Sequence, residues 1–408
     1  MSNTMNKRNS RPLSFLKVLG PGIITAALVF GPGSLTIASK LGAGFQYQLL
    51  WVVVLATVFM AVFTVMGSRI GIASSASLIA SIRAHYGRAY SIIVGIGVFL
   101  VTASFQSGNS IGAGLAFAEL FNTSPVPWII FFSALAISLL FLKSFYKILE
   151  KIMIVMIGIM IISFMITLIL SGPDLLDILR GFAPVLPSGS EMLVIALMAS
   201  SFSLVGAFYQ SYLVRERGWQ RNQMGACLNE GLTGIMILGA VTFMIMAAAG
   251  SVLHPQGIQV NSAAEMGKAL EPLFGNLASS IFMVGLFAAS FSSLLGNATL
   301  GGAVLADAIG WGNTLSSFPL RMLIMVVIVI GAIIASAFSH LQLNLIVIAQ
   351  ALTMIVAPIV GFFILLVATN ARIMGDLKIG RYLKVFGIIG LFIILLLGFE
   401  FVQIILLK

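Results

Sequence analysis

Apolar runs of membrane-spanning length recur along the whole chain, separated by short polar or basic turns. The pattern predicts helices at 15–40, 46–69, 89–120, 126–146, 149–171, 190–214, 228–253, 271–306, 319–340, 342–369 and 382–406. A helix needs about 20 mainly apolar residues to cross the hydrocarbon core. The third, sixth, eighth and tenth runs exceed that length, so they are expected to tilt or to extend beyond the bilayer. The longest connections, near 172–189 and 254–270, leave no room for a soluble domain. The expected fold class is therefore an all-α polytopic membrane protein of about eleven transmembrane helices, with 1–408 forming one transmembrane domain.

Two of the runs are interrupted. The first, LGPGIITAALVFGPGSLTIASK (19–40), contains Gly31-Pro32-Gly33-Ser34 midway. Pro32 lacks a backbone N–H, and the flanking glycines leave the helix under-determined. The sixth contains ASSFSLVGAFYQ (199–210), where three serines and Gly206 interrupt an apolar stretch. Breaks at membrane depth are tolerated only where protein or a watery cavity satisfies the freed backbone groups. Residues 15–171 (helices 1–5) and 190–369 (helices 6–10) read as two halves, with 382–406 as an additional eleventh helix. A five-helix unit must be inverted to return through the membrane. Matching broken helices in inverted halves point to a midplane substrate site.

Composition agrees and adds orientation. Hydrophobic residues make up 60% of the chain and charged ones 8%, against about 25% charged in a soluble domain. The net charge of +10 sits in the loops and does not indicate nucleic-acid binding. With the N-terminus inside, eighteen Lys and Arg fall on the cytoplasmic side and four on the other. The positive-inside rule then gives a cytoplasmic N-terminus and an outside C-terminus. Residues 1–14 are expected to be a retained cytoplasmic tail, because no cleavage site follows them. The compact size suggests a prokaryotic inner (plasma) membrane. Cys227 is the single cysteine, and His85, His254 and His340 are scattered, so neither a disulfide nor a metal cluster of these residues is expected. No nucleophile–base arrangement and no cofactor motif is present, so an enzyme is not expected. The expected partners are a transported metal ion or small solute and the lipid bilayer, with no nucleic acid and no obligate protein partner.

Particular segments carry a family resemblance. LGPG (19–22), GPGS (31–34) and LGAGFQYQLLWVVVLA (41–56) resemble the first helix, and the entry into the second, of the NRAMP divalent metal transporters. LEPLFG (270–275) with LFAASFSS (286–293), and ATNARIMGD (368–376), are similar to that family's eighth-helix region and the turn after its tenth helix. The resemblance implies the LeuT-type (APC superfamily) fold, a 5+5 inverted repeat with helices 1 and 6 broken. It also implies where the site residues fall. The family's metal-ligating Asp and Asn of helix 1 correspond to Gly31 and Ser34. Its helix 6 Ala and Met ligands correspond to Ser200 and Ser203, the Pro and His that follow to Leu204 and Val205, and a later His to Gln210. The Asp and Glu of its proton path match Gln106 and Asn109. A Gln of helix 8 becomes Phe291. In helix 10, Gln350 is kept while a later Gln aligns with Val356. The scaffold is retained and its charged chemistry is replaced by neutral groups.

Thioether, imidazole and thiolate ligands select soft metals, so a serine in place of the Met removes that preference. Hard divalent ions take oxygens, and Mg²⁺ keeps much of its water. Ser34 and Ser203 are the tentative metal contacts, Gly31, Ser200 and Gln350 complete the substrate site, and Gln106, Asn109, Gln210 and Asn297 are pathway candidates. A metal cation, favouring Mg²⁺ or Mn²⁺, is the first reading. A small anion or polar organic solute is the alternative, because helix N-termini at the breaks suit negative groups. A non-transporting homologue that acts as a sensor or scaffold is the third and least favoured class. Structural readings stand beside these. The Gly-Pro-Gly segment could be a packing kink, the serines small contact residues, and Gln106 with Asn109 interhelical glue. Proton coupling needs titratable groups within the membrane. The acids that remain there are Glu119, Glu230, Asp307 and Glu400, so uncoupled or weakly pH-dependent transport is expected.

Overall fold

The computed structural model describes residues 30–74, 76–141, 143–311 and 317–407. The expected tail and the first half of the first span lie outside the described residues. The principal helices are α1 (Pro32–Phe45), α2 (Leu50–Ala73), α3 (Leu78–Tyr86), α4 (Arg88–Phe121), α5 (Pro125–Leu139), α6 (Lys143–Leu170), α7 (Leu175–Arg180), α8 (Glu191–Ser201), α9 (Leu204–Glu216), α10 (Met224–Val252), α11 (Ala278–Ile309), α12 (Phe318–Ala337), α13 (Leu343–Leu352), α14 (Ala357–Thr369) and α15 (Arg381–Leu407). Seven helical stretches among the described residues are long and apolar enough to cross a membrane, and α13 with α14 makes an eighth if counted as one bent span. Pro125–Leu139 and Val155–Leu170 are shorter apolar helices.

The breaks follow from local chemistry. α1 begins at Pro32, after Gly31 in extended geometry (φ −120°, ψ 178°). Proline suits this first helical position, where an N–H would have no intrahelical partner and the fixed φ is already helical. α8 stops at Ser201, and Phe202 (φ −95°, ψ 62°) and Ser203 (φ −76°, ψ 96°) leave helical geometry. Ser203 then caps α9, its Oγ accepting from the Gly206 N–H at 3.1 Å.

The structure adds a third break. α13 passes through a 3-10 turn at Thr353–Ile355 into α14, with a 45° bend between the two axes. Pro358, in the first turn of α14, cannot donate a hydrogen bond back into that turn. The sequence pattern treats 342–369 as one run because its apolar character continues across the bend. It also misses α3, a nine-residue helix capped by Ser77, whose Oγ accepts from the Ala80 N–H at 3.0 Å. That helix is too short to register as a span. The eighth span begins at Ala278 rather than 271, since Gly275 (φ +52°) turns the chain just before it.

α4 and α11, two of the longest helices, run through the centre. Small residues bring them together, Gly95 facing Ala308 and Gly301 facing Thr102. Such close approach is the usual basis of helix association in lipid, where burying apolar surface supplies no drive. α1 lies against α10, and the side chain of Tyr47, just beyond α1, meets Ser251 Oγ at 2.8 Å. α13 packs on α4, and α1, α8 and α13 pack on one another, which brings the three broken segments together beside α4.

Candidate functional site

A cavity of about 160 Å³ lies where the breaks of α1 and α8–α9 meet. Gly31, Ser34, Ser200, Ser203 and Gln350 all line it, as do Asn109, Gln210 and Asn297. Gln106 does not. It is fully buried behind the wall, its Nε2 donating to the Leu294 carbonyl at 3.0 Å and its Oε1 accepting from Asn109 Nδ2 at 3.3 Å. Thr64, Met60, Phe105, Tyr209 and Ser293 join the lining. Of these, Ser293 belongs to a motif that the sequence had singled out. Thr64 and Met60 sit in the uninterrupted second span, where nothing in the pattern marks them.

Each wall has a local cause. Gly33 has no side chain, and Gln350 occupies the space one would take: an ideal Cβ on Gly33 would stand 2.6 Å from Gln350 Cδ and 2.9 Å from its Cγ. The glycine thus lets the Gln350 carboxamide reach the start of α1. Ser293 Oγ donates to the Phe30 carbonyl at 3.2 Å, tying α11 to the residue before the α1 break. Ser200 Oγ donates to the Leu197 carbonyl at 3.1 Å. A hydroxyl whose proton is committed to a carbonyl offers its lone pairs to whatever else approaches. The last turn of α8 adds backbone carbonyls that a helix end leaves outside its own ladder.

The lining is polar without being charged. Half of its twenty-two residues carry neutral hydroxyl or amide groups, and none is Asp, Glu, His or Cys. Among the described residues no group of three or more His, Cys, Asp or Glu is placed to hold a metal. The cavity continues along α9 past Gly206 and Gln210 to Leu213. A small adjoining pocket there is bordered by Arg217 and Glu230, which form an ion pair. Asp307 is engaged as well, accepting from the Tyr212 hydroxyl at 2.8 Å and lying 3.9 Å from Arg83. Glu400 is exposed on α15, away from the cavity.

The Gln106 contacts give a first prediction. Gln106→Ala removes a bond between α4 and α11 and strands the Asn109 amide. Interhelical hydrogen bonds in membranes are worth about 0.6–2 kcal/mol. The expected result is a loss of about 1 kcal/mol, read as a lowered thermal unfolding midpoint in detergent. An unchanged midpoint would show that the bond is not structural.

Comparison with known proteins identifies the family. The family profile described as Natural resistance-associated macrophage protein-like matches residues 22–403. The divalent metal cation transporter MntH of Klebsiella pneumoniae (strain 342) is 25% identical over 385 residues, covering 91% of this chain and 90% of the relative. That of Erwinia tasmaniensis is 26% identical over 389 residues, covering 93% and 92%. A crystal structure of the Eremococcus coleocola manganese transporter, in complex with an aromatic bis-isothiourea substituted compound, superposes with a TM-score of 0.75 at 19% identity, covering 97% of this chain and 87% of the other. Mhp1, a nucleobase-cation-symport-1 family transporter, closed with bromovinylhydantoin bound, superposes with a TM-score of 0.65 at 16% identity, covering 94% and 91%. Profile and relatives span nearly the whole chain, so this protein is a member of the Nramp (natural resistance-associated macrophage protein-like) family.

Proposed function

We propose that this protein carries a hard divalent cation, Mg²⁺ or Mn²⁺, across the membrane by alternating access, without coupling to protons. The observation that carries this reading is the donor set of the central cavity. Ser34, Ser200, Ser203 and Gln350 supply oxygens around a space with room for several waters. Mg²⁺ gives up its water reluctantly and is commonly held through it. A roomy neutral cavity therefore suits a partly hydrated hard ion better than a stripped one, which would need carboxylates close by. The relatives named as divalent metal cation transporters support the cargo class.

The cavity lining holds no acid to carry a proton, and Glu119, near the C-terminal end of α4, lies outside that lining. The positions that resemble the family's proton path are Gln106 and Asn109, bonded to each other. Glu230 and Asp307 are committed to Arg217, Arg83 and Tyr212. The anion alternative is weakened by the same geometry. Pro32 opens α1 without an N–H, the Gly206 N–H of α9 is taken by Ser203, and the Ser200 proton is spent on Leu197. The breaks thus present fewer free donors than two helix N-termini would otherwise offer.

The test is uptake by the full chain in proteoliposomes, with Mg²⁺, Mn²⁺ and Ca²⁺ as separate cargoes, with and without a pH gradient. Mg²⁺ or Mn²⁺ flux is expected, unchanged by the gradient. Ser34→Ala is expected to lower it several-fold. Ser203→Ala is expected to lower it too and to cost about 1 kcal/mol of stability through the lost helix cap. Flux of an amino acid or anion with no movement of any metal would overturn the reading.

A further inference from the structure

The central cavity narrows at one end and continues. Gln210, Leu213 and Gly231 line both the cavity and the small pocket beyond it. At this narrowing Gln210 Nε2 donates to Ser68 Oγ at 3.3 Å, joining α9 to α2. The same nitrogen lies over Gly231 of α10, 3.2 Å from where a Cβ would stand. The far pocket has a volume of about 10 Å³, space for about one water. Arg217, at the C-terminal end of α9, forms one wall. Cys227 and Glu230, one turn apart on α10, form another.

The charges along this route are placed in order. Glu230 is the only acid and Arg217 the only base in either lining, and they form an ion pair. The carboxylate is the inner member, its side chain 16% exposed, and the guanidinium the outer, 39% exposed. A cation that moves from the neutral cavity toward this end meets its first negative charge at Glu230, already held by Arg217. A carboxylate shielded from water that loses its partner is left uncompensated, at a large cost. A second cation removes that cost. Exchange of one cation for the other is therefore the easy way for the pair to open.

We propose that Glu230 is a second cation station, on a route out of the central cavity, reached by exchange for the Arg217 guanidinium. The inference rests on the cation reading of that cavity. With no cation present, the ion pair ties the end of α9 to α10 and closes the route. A cation that takes over Glu230 releases Arg217, and with it the half-helix that carries Gln210 and is capped by Ser203. The station offers a carboxylate with a carboxamide nearby, the kind of oxygen set that Mg²⁺ and Mn²⁺ accept. The gate is thus worked by its cargo.

The experiment is isothermal titration of the purified full chain with Mn²⁺, on the parent, Arg217→Gln and the double variant Arg217→Gln/Glu230→Gln. Arg217→Gln leaves the carboxylate without its partner and is expected to bind Mn²⁺ about tenfold more tightly than the double variant. The double variant loses both charges together, so no unpaired charge disturbs its folding. Cys227, the chain's single cysteine and 1% exposed, reports on the route itself. N-ethylmaleimide is expected to modify it slowly in the parent and several-fold faster in the double variant, where the tie between α9 and α10 is gone. Equal Mn²⁺ affinity in folded Arg217→Gln and the double variant would overturn the station. An unchanged labelling rate in the double variant would overturn the gate. Ser34→Ala keeps this proposal apart from the reading it rests on. If Ser34→Ala abolishes Mn²⁺ binding to the parent while Arg217→Gln gains nothing, the station alone fails. If the parent binds no Mn²⁺ and Arg217→Gln does, the central site fails and Glu230 stands as a cation ligand.

Discussion

Gly31→Asp is expected to convert the central cavity into a tight divalent-metal site. The position opens α1 beside the cavity, and an added Cβ would stand 3.0 Å from Ser293 Oγ and 3.7 Å from Asn109 Oδ1, so a carboxylate can be built there with a small shift of Ser293. A unit charge about 4 Å from a single opposite charge gains roughly 4 kcal/mol at an effective dielectric constant of about 20, and a divalent ion gains more. Desolvation returns part of this. A gain of about 2.8 kcal/mol, or a hundredfold in affinity, is the expected floor. Isothermal titration with Mn²⁺ on parent and variant reads it directly. Adding Ser203→Met introduces a thioether and is expected to raise Cd²⁺ affinity above that for Mg²⁺. It also removes the cap of α9, so the double variant should melt lower by an amount typical of a lost cap. Unchanged Mn²⁺ affinity in a folded Gly31→Asp protein would place the cation elsewhere than between the breaks.

How the sequence announces some of this and hides the rest is a matter of contrast between residues. Gly31-Pro32-Gly33 and the serines at 200, 201 and 203 stand out because they are small, polar or proline within apolar runs, and the structure puts both breaks there. Ser34, Ser200, Ser203 and Gln350 could be nominated because the resemblance fixed their positions, and all four line one cavity. Gln106 was legible as a buried polar residue on α4, but sequence spacing says nothing of whether its amide faces a cavity or the Leu294 carbonyl. Thr64 and Met60 were invisible for the opposite reason. They lie in an unbroken apolar helix, and only the crossing of α2 over α9 brings them to the site. The bend at Thr353–Ile355 is concealed by continuous hydrophobicity, since a hydropathy pattern registers burial and not the direction of the helix axis. An apolar groove between α4, α12 and α13 is likewise a property of three helices together and of none alone.

Two glycines on one helix should behave in opposite ways. Gly42→Ala is expected to be among the most destabilising single-methyl changes in the protein. An ideal Cβ there falls inside the Met246 carbonyl oxygen, and it also stands 2.8 Å from Gly250 N and 2.9 Å from Ala249 Cβ. Two of these three atoms are backbone of α10, so no rotamer change relieves the clash, and α1 must lift away. The lift would strain the His254 Nδ1 contact with the Ala43 carbonyl at 2.8 Å and the Tyr47–Ser251 bond. Overpacking usually costs 1–3 kcal/mol, occasionally more. With rigid backbone as the obstacle, the upper end of that range, about 3 kcal/mol, is expected. Gly44, two residues on, meets nothing within 4 Å. Gly44→Ala there removes only backbone freedom and is expected to stabilise by up to about 1 kcal/mol. Thermal unfolding of both variants in the same detergent separates the two. The midpoint should fall sharply for the first and hold or rise for the second. Equal shifts would mean that α1 does not rest on α10 through Gly42. Because α1 carries the Gly31–Ser34 side of the cavity, a folded remnant of Gly42→Ala should also lose cation binding, whereas Gly44→Ala should keep it.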